Sequence, residues 1–242
     1  MRKKERKKER KKERKKAGPP VKEHLAVLGR LLAGQLSDLL RNRLDYRFYP
    51  ELFLCVLLAA AVVPAGMYLP VEYGYENGLI ENLQLALAGA GIVICWTAKR
   101  HKAVFRFFSF ILFLLMLRET NFGKTLFYPD PEHPNEFLRW DEIPYAAWVD
   151  PFIIAYVVFM AVWFFRNRLH LFLADFLRAG KVPVVNLLIL ALCMAAGLVI
   201  DKVCENDIFE EGAELVFYTA LLLTLLRAAL RSDLWLPFPP RR

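Results

Sequence analysis

Six times between residues 52 and 229 the chain runs on almost wholly apolar side chains, and that recurrence decides what it can fold into. A bilayer core takes about 20 apolar residues of helix. Inside it every backbone N–H and C=O must find a partner within the protein, which an α-helix supplies to itself. The runs cover residues 52–69, with Pro64 inside, then 77–97, 103–117, 145–165, 182–200 and 212–229. The expected fold is therefore all-α: a polytopic transmembrane helical bundle of about six spans occupying 49–231. With 56% hydrophobic and 14% aromatic residues, the composition is too apolar for an ordinary water-soluble domain.

The formal net charge of +8 suggests a nucleic-acid binder until its location is read. Residues 2–16 hold twelve Lys or Arg and three Glu, and the rest of the chain nets −1. This tract repeats Arg-Lys-Lys-Glu, so a helix would stack like charges four residues apart, which opposes helix formation. Residues 1–20 are expected to be a disordered polybasic tail. Beside a membrane such a tail is drawn to anionic lipid headgroups by roughly 1 kcal/mol per Lys or Arg. No aromatic residue is interleaved for base stacking, which argues against nucleic acid. Residues 21–48 place Leu25, Leu28, Leu32, Leu36, Leu39 and Leu40 at three- and four-residue steps among Lys22, Arg30, Arg41 and Arg43. That pattern predicts an N-terminal amphipathic helix lying in the membrane interface. No cleavable signal peptide is expected, because the first long apolar run begins only near Glu51.

Orientation follows from the short links. Lys99, Arg100, His101, Lys102 and Arg106 lie between the second and third runs, and Arg166, Arg168, Arg178 and Lys181 between the fourth and fifth. Lys and Arg in short links mark the cytoplasmic side. The other three links carry more acid than base, so both termini, including the short tail 232–242, are expected in the cytoplasm. The link 167–180, with Leu169, Phe172, Leu173, Phe176 and Leu177, predicts a second interfacial helix. Ala86, Ala90 and Gly91, and Ala191, Ala195, Ala196 and Gly197, are small residues that would let helices approach closely.

Ionisable residues gather at the outward ends of the runs. Glu76 and Glu81 open the second, Arg118 and Glu119 close the third, Asp201 and Glu205 follow the fifth, and Glu210, Glu211 and Glu214 open the sixth. Charges at that depth are costly unless paired or facing a wet cavity. Asn77, Glu81 and Gln84 recur at helical spacing, as do Glu211, Glu214 and Tyr218, so each set is expected to share a face turned into the bundle. With Arg118 and Lys124 as counter-charges, the expected site is an outward-facing acidic cup. It comprises Glu76, Asn77, Glu81, Gln84, Arg118, Glu119, Lys124, Asp201, Glu211, Glu214 and Tyr218, under a proline-rich link containing Pro129, Pro131 and Pro134. The same groups would also serve merely to fasten helices. Asp150-Pro151 reads as a helix N-cap followed by the proline favoured in the first turn.

The residue inventory narrows the chemistry. Of the four histidines, His24, His101 and His170 fall on the inward side and His133 alone on the outward, which argues against a zinc site. No metal site is predicted, although carboxylates alone could take calcium or magnesium. Ser37, Ser109 and Ser232 have no suitable base nearby, so a serine protease is not supported. Cys55, Cys95, Cys193 and Cys204 show no Cys-x-x-Cys spacing and read as small buried hydrophobes. Glu81 and Glu214 are the candidates for acid–base catalysis, with Arg118 holding an anionic headgroup.

Three stretches carry a resemblance: Glu76-Asn77-Gly78-Leu79-Ile80-Glu81, Arg118-Glu119-Thr120-Asn121-Phe122-Gly123-Lys124, and Glu210-Glu211-Gly212-Ala213-Glu214-Leu215. In these the chain resembles uncharacterised bacterial multi-span membrane proteins with Glu-rich outer helix ends. The resemblance implies a bacterial cytoplasmic membrane and supports the location of the site; it implies no activity and no cofactor. The expected function is binding or interaction through the acidic cup, with the bilayer and a membrane-protein partner. The alternatives are an enzyme acting on a lipid or lipid-linked substrate and, second, a proton- or cation-coupled transporter.

Overall fold

The structure, a computed structural model, describes residues 44–75, 77–131, 137–179, 181–203 and 207–231. Met1–Leu44 and Asp45–Arg242 are two compact units. Of the first only Leu44 is described, so the basic tail and most of the helix expected over 21–48 lie outside the described residues. That helix does not reach residue 48, because Leu44–Asp45 is a two-residue strand (β1) followed by irregular chain.

The second unit is helical. A 3-10 turn at Pro50–Leu52 enters α1, Phe53–Tyr68. There follow α2 at Leu79–Thr97, α3 at Lys102–Glu119, the short α4 at Lys124–Phe127, α5 at Ala146–Arg166 and α6 at Leu169–Ala179. A two-residue strand, Val182–Pro183 (β2), precedes α7 at Val184–Val203 and α8 at Asp207–Leu230. Each apolar run is thus one helix, and the expected interfacial link is α6. Among the described residues, four segments are long and apolar enough to cross a membrane: Pro50–Tyr68, Leu79–Thr97, Ala146–Arg166 and Asp207–Leu230. Charges near both ends of α3 and the shorter apolar stretch of α7, Val184–Ile200, leave those two outside this set.

Helix α8 is the axis of the bundle. It packs along α1, α2 and α7, and α2 packs in turn on α3. Buried Tyr49, Leu52, Cys55, Val216 and Ala220 form one core, and Cys95, Ala98, Phe105, Leu112 and Leu225 another. The inward stripe of α2 is Gln84, Ala88, Gly91 and Cys95, at four- and three-residue steps. Of the small residues expected at contacts, Gly91 and Gly197 are buried, but Ala86, Ala90, Ala191 and Ala195 are exposed. They lie one or two positions off the inward stripe, which a list of small residues does not reveal.

Helix α5 is peripheral and has no buried residue. It meets α3 through rings, with Phe110 edge-on to both Phe159 and Trp163, and the Tyr156 hydroxyl donates to the Phe110 carbonyl at 2.9 Å. Its remaining surface, including Ile154 at 65% and Val162 at 58% exposure, is an apolar face that water would not favour. Asp150 and Pro151 lie inside this helix rather than at its start, because α5 begins a turn earlier, after Tyr145. There the Tyr145 hydroxyl donates to the Phe122 carbonyl at 3.0 Å, tying the chain entry to the end of α3.

The link between α2 and α3 turns on His101, whose left-handed backbone (φ 50°) breaks the helix. Its ring lies edge-on to Phe172 of α6, centroids 5.4 Å apart. Burial, and then the neighbouring Arg100, hold its pKa below the ordinary 6.5. A histidine kept neutral by folding binds fewer protons folded than unfolded, so stability falls as pH drops below about 6.5. In thermal scans across about pH 7.5 to 5.5, the wild type should lose more stability than His101→Asn, which tolerates the left-handed backbone. Equal slopes for the two proteins would rule this out.

Candidate functional site

The acid-rich end of the bundle is where α2 and α8 begin and α3 ends. Gln84, fully buried on α2, donates from Nε2 to the Glu211 backbone carbonyl at 2.9 Å and to its Oε2 at 2.7 Å. Its Oε1 is buried with no hydrogen-bond partner. One turn earlier Glu81, 4% exposed, accepts the backbone N–H of Asn77. From α3, the Glu119 carboxylate accepts the Tyr218 hydroxyl at 2.8 Å and pairs with Arg118 at 3.2 Å. The second terminal nitrogen of Arg118 pairs with Glu214 at 3.2 Å. Glu119 and Glu211 each lie close enough to Glu81 and Glu214 to feel their charge.

The chain folds this way locally for identifiable reasons. Gly78 precedes α2 in extended backbone, and the Glu81 carboxylate satisfies an N–H at the helix start, as the positive helix terminus favours. Glu119 is the last residue of α3. Beyond it Asn121, Phe122 and Gly123 are successive left-handed residues at φ 47°, 54° and 88°. A left-handed phenylalanine is costly, and the Tyr145 bond described above secures it. The turn ends α3 so that Arg118 and Glu119 stand beside the first turns of α8.

A cavity of about 400 Å³ opens beside this network. It is lined by Leu115 and Arg118 of α3, Cys193, Met194, Gly197 and Leu198 of α7, and Glu210, Glu214, Phe217 and Tyr218 of α8.

Seven of the residues expected in the cup are brought together: Glu81, Gln84, Arg118, Glu119, Glu211, Glu214 and Tyr218. Asn77 is not on their helix face. It precedes α2 with φ 63°, its side chain is exposed, and it contributes only its backbone N–H. Lys124 is not a counter-charge, because α4 carries its Nζ over the Trp140 ring at 5.7 Å. Glu76 and the side chain of Asp201 lie outside the described residues. Among the described residues of the proline-rich link, which exclude 132–136, none is part of the cavity lining. Glu210 lines the cavity although the expected cup did not include it; its spacing to Glu214 and Phe217 was the available signal. Among the described residues no group of three or more His, Cys, Asp or Glu is placed to hold a metal ion.

A second polar group lies toward the other end of α8. Arg227 pairs with Glu51, and its guanidinium stacks 3.3 Å over the Tyr49 ring. Nearby on α8, Thr224 accepts from the Nδ2 of buried Asn186 at 2.9 Å. Arg227 was not among the residues expected to form a site. A lone cation inside Leu-Leu-Leu-Thr-Leu-Leu-Arg-Ala-Ala-Leu was the signal.

No family model, no curated protein and no solved structure matches the chain. Fold and site together define the class: an all-helical bundle with membrane-capable helices and a carboxyl-rich network at one end.

Proposed function

We propose that this is a six-span integral protein of a bacterial cytoplasmic membrane, with both ends cytoplasmic, that binds a ligand from the outward side at the Arg118–Glu119–Glu214–Tyr218 network. The six-span reading rests on the six helical runs and on the basic links alternating with acidic ones. The bacterial assignment rests on the motif resemblance alone.

The observation that carries the binding reading is the exposure of Arg118. Its side chain is 63% exposed while it pairs with Glu119 and Glu214 beside a cavity. Solvent screens the guanidinium end of both pairs, although the Glu119 and Glu214 side chains are only 7% and 20% exposed. Helix α2 already packs along both α3 and α8, so this pair is not needed to hold them together. Two carboxyls, Glu119 and Glu214, share the single guanidinium of Arg118, an acid excess suited to an external partner.

Thermal scans of the purified protein in detergent test this, with Glu214→Gln and Arg118→Gln beside the wild type and a panel of divalent cations, amines and phospholipids. Glu214→Gln should lie within about 1 kcal/mol of the wild type, Arg118→Gln should cost more because it leaves the buried Glu119 without its cation, and a ligand that stabilises the wild type should lose its effect in both. A large stability drop in both variants with no ligand response would make the network a fastening only.

A further inference from the structure

We infer that the cavity between α3, α7 and α8 takes the headgroup and upper chain of a phospholipid bearing a primary ammonium. This deepens the binding reading above and rests on it.

The lining is graded along the helices. Arg118, Glu210 and Glu214 stand at the acid-rich end, and Leu115, Met194 and Phe217 lie about a turn deeper. A site polar at one end and apolar at the other fits an amphiphile rather than a wholly soluble or wholly apolar molecule. Its mouth is on the side of the bundle: Met194 and Leu198 line the cavity yet are 56% and 65% exposed. With the helices in a bilayer, those side chains would face acyl chains, so a lipid could enter laterally and leave its tails outside. The cavity volume is at the low end of the roughly 300–1,000 Å³ typical of ligand pockets, which suits a headgroup and the start of a chain.

Charge selects the headgroup. Glu214 lines the polar end with Glu119 adjacent, and the two carboxyls share the single guanidinium of Arg118, so acid outweighs base around it. That balance disfavours an anionic lipid and suits an ammonium. Arg118 uses one N–H on each of Glu119 and Glu214, and its guanidinium keeps further donors for the phosphate of the same headgroup. A quaternary choline group has no N–H to donate to the carboxylates, so a primary amine should be preferred.

The test uses the full-length protein in detergent, given phosphatidylethanolamine, phosphatidylcholine or phosphatidylglycerol of one acyl composition, or soluble glycerophosphoethanolamine. Melting temperature and retained lipid by mass spectrometry are the readouts. The ethanolamine lipid should bind on the order of tenfold more tightly than the other two. Glu214→Gln should erase that preference, and Met194→Trp, which fills the exposed mouth, should weaken lipid binding but not binding of the soluble headgroup. Equal binding of the three lipids, or a preference retained in Glu214→Gln, overturns the inference. If soluble amines stabilise the protein and lipids do not, the lipid inference fails and the binding reading stands; if nothing binds, both fail.

Discussion

Arg227→Ala should lower the unfolding free energy by about 3 kcal/mol. The guanidinium is 21% exposed, pairs with a Glu51 carboxylate 27% exposed, and stacks on Tyr49, which is 6% exposed. Truncating it leaves that carboxylate partly buried without its counter-charge. Breaking a fully buried pair costs about 3–5 kcal/mol, and partial exposure reduces this, while the lost cation–π contact adds about 1 kcal/mol or more. The interaction reaches across 176 residues, from the 3-10 turn before α1 to the last turns of α8. Thermal scans in detergent together with limited proteolysis check it. Arg227→Lys should lose roughly half as much, because it keeps the charge but not the planar stack. A truncation that leaves both melting and proteolysis at wild-type values would show that the latch contributes nothing.

Gly212→Val is expected to destabilise by about 2–3 kcal/mol through overpacking. A Cβ at Gly212 would lie 2.6 and 2.8 Å from the two methyls of Val62 and 3.3 Å from its Cβ. The contact is reciprocal: the space over Gly66 on α1 is taken by the Phe209 ring of α8, 2.5 Å from where a Cβ would be. Each helix thus offers a glycine to the other's bulk, and neither backbone can retreat without opening the core of Leu52, Cys55 and Val216. The smaller Gly212→Ala should be partly rescued by Val62→Ala, which restores the space. Failure of that rescue would mean the loss comes from helix propensity and not from the α1–α8 contact.

Much of the polar network was legible as helical spacing. Glu81 and Gln84 on one helix, and Glu211, Glu214 and Tyr218 on another, fall on single faces, and burying those faces is what hydrocarbon surroundings require. Spacing, however, gives only the face and not the partner. That Gln84 meets Glu211, that Tyr218 donates to Glu119, and that Arg118 spans Glu119 and Glu214 depend on the relative height of three helices. Asn77 failed for a different reason: the face argument assumes the helix has begun, and a left-handed residue followed by Gly78 delays it. Lys124 failed because the left-handed turn at residues 121–123 redirects the chain before it.

By itself the sequence determined where the six long apolar helices between residues 52 and 229 lie, because apolar runs of that length leave the backbone no other way to pair its polar groups. It also determined that ionisable groups collect at one end of those runs. Only the tertiary structure decided that α8 is the axis, that glycines set its distance from α1, and that Arg227 reaches back to Glu51. It alone decided that the space between α3 and α7 is a cavity with one polar end. These depend on contacts between side chains far apart in the chain, and such contacts leave no periodicity to read.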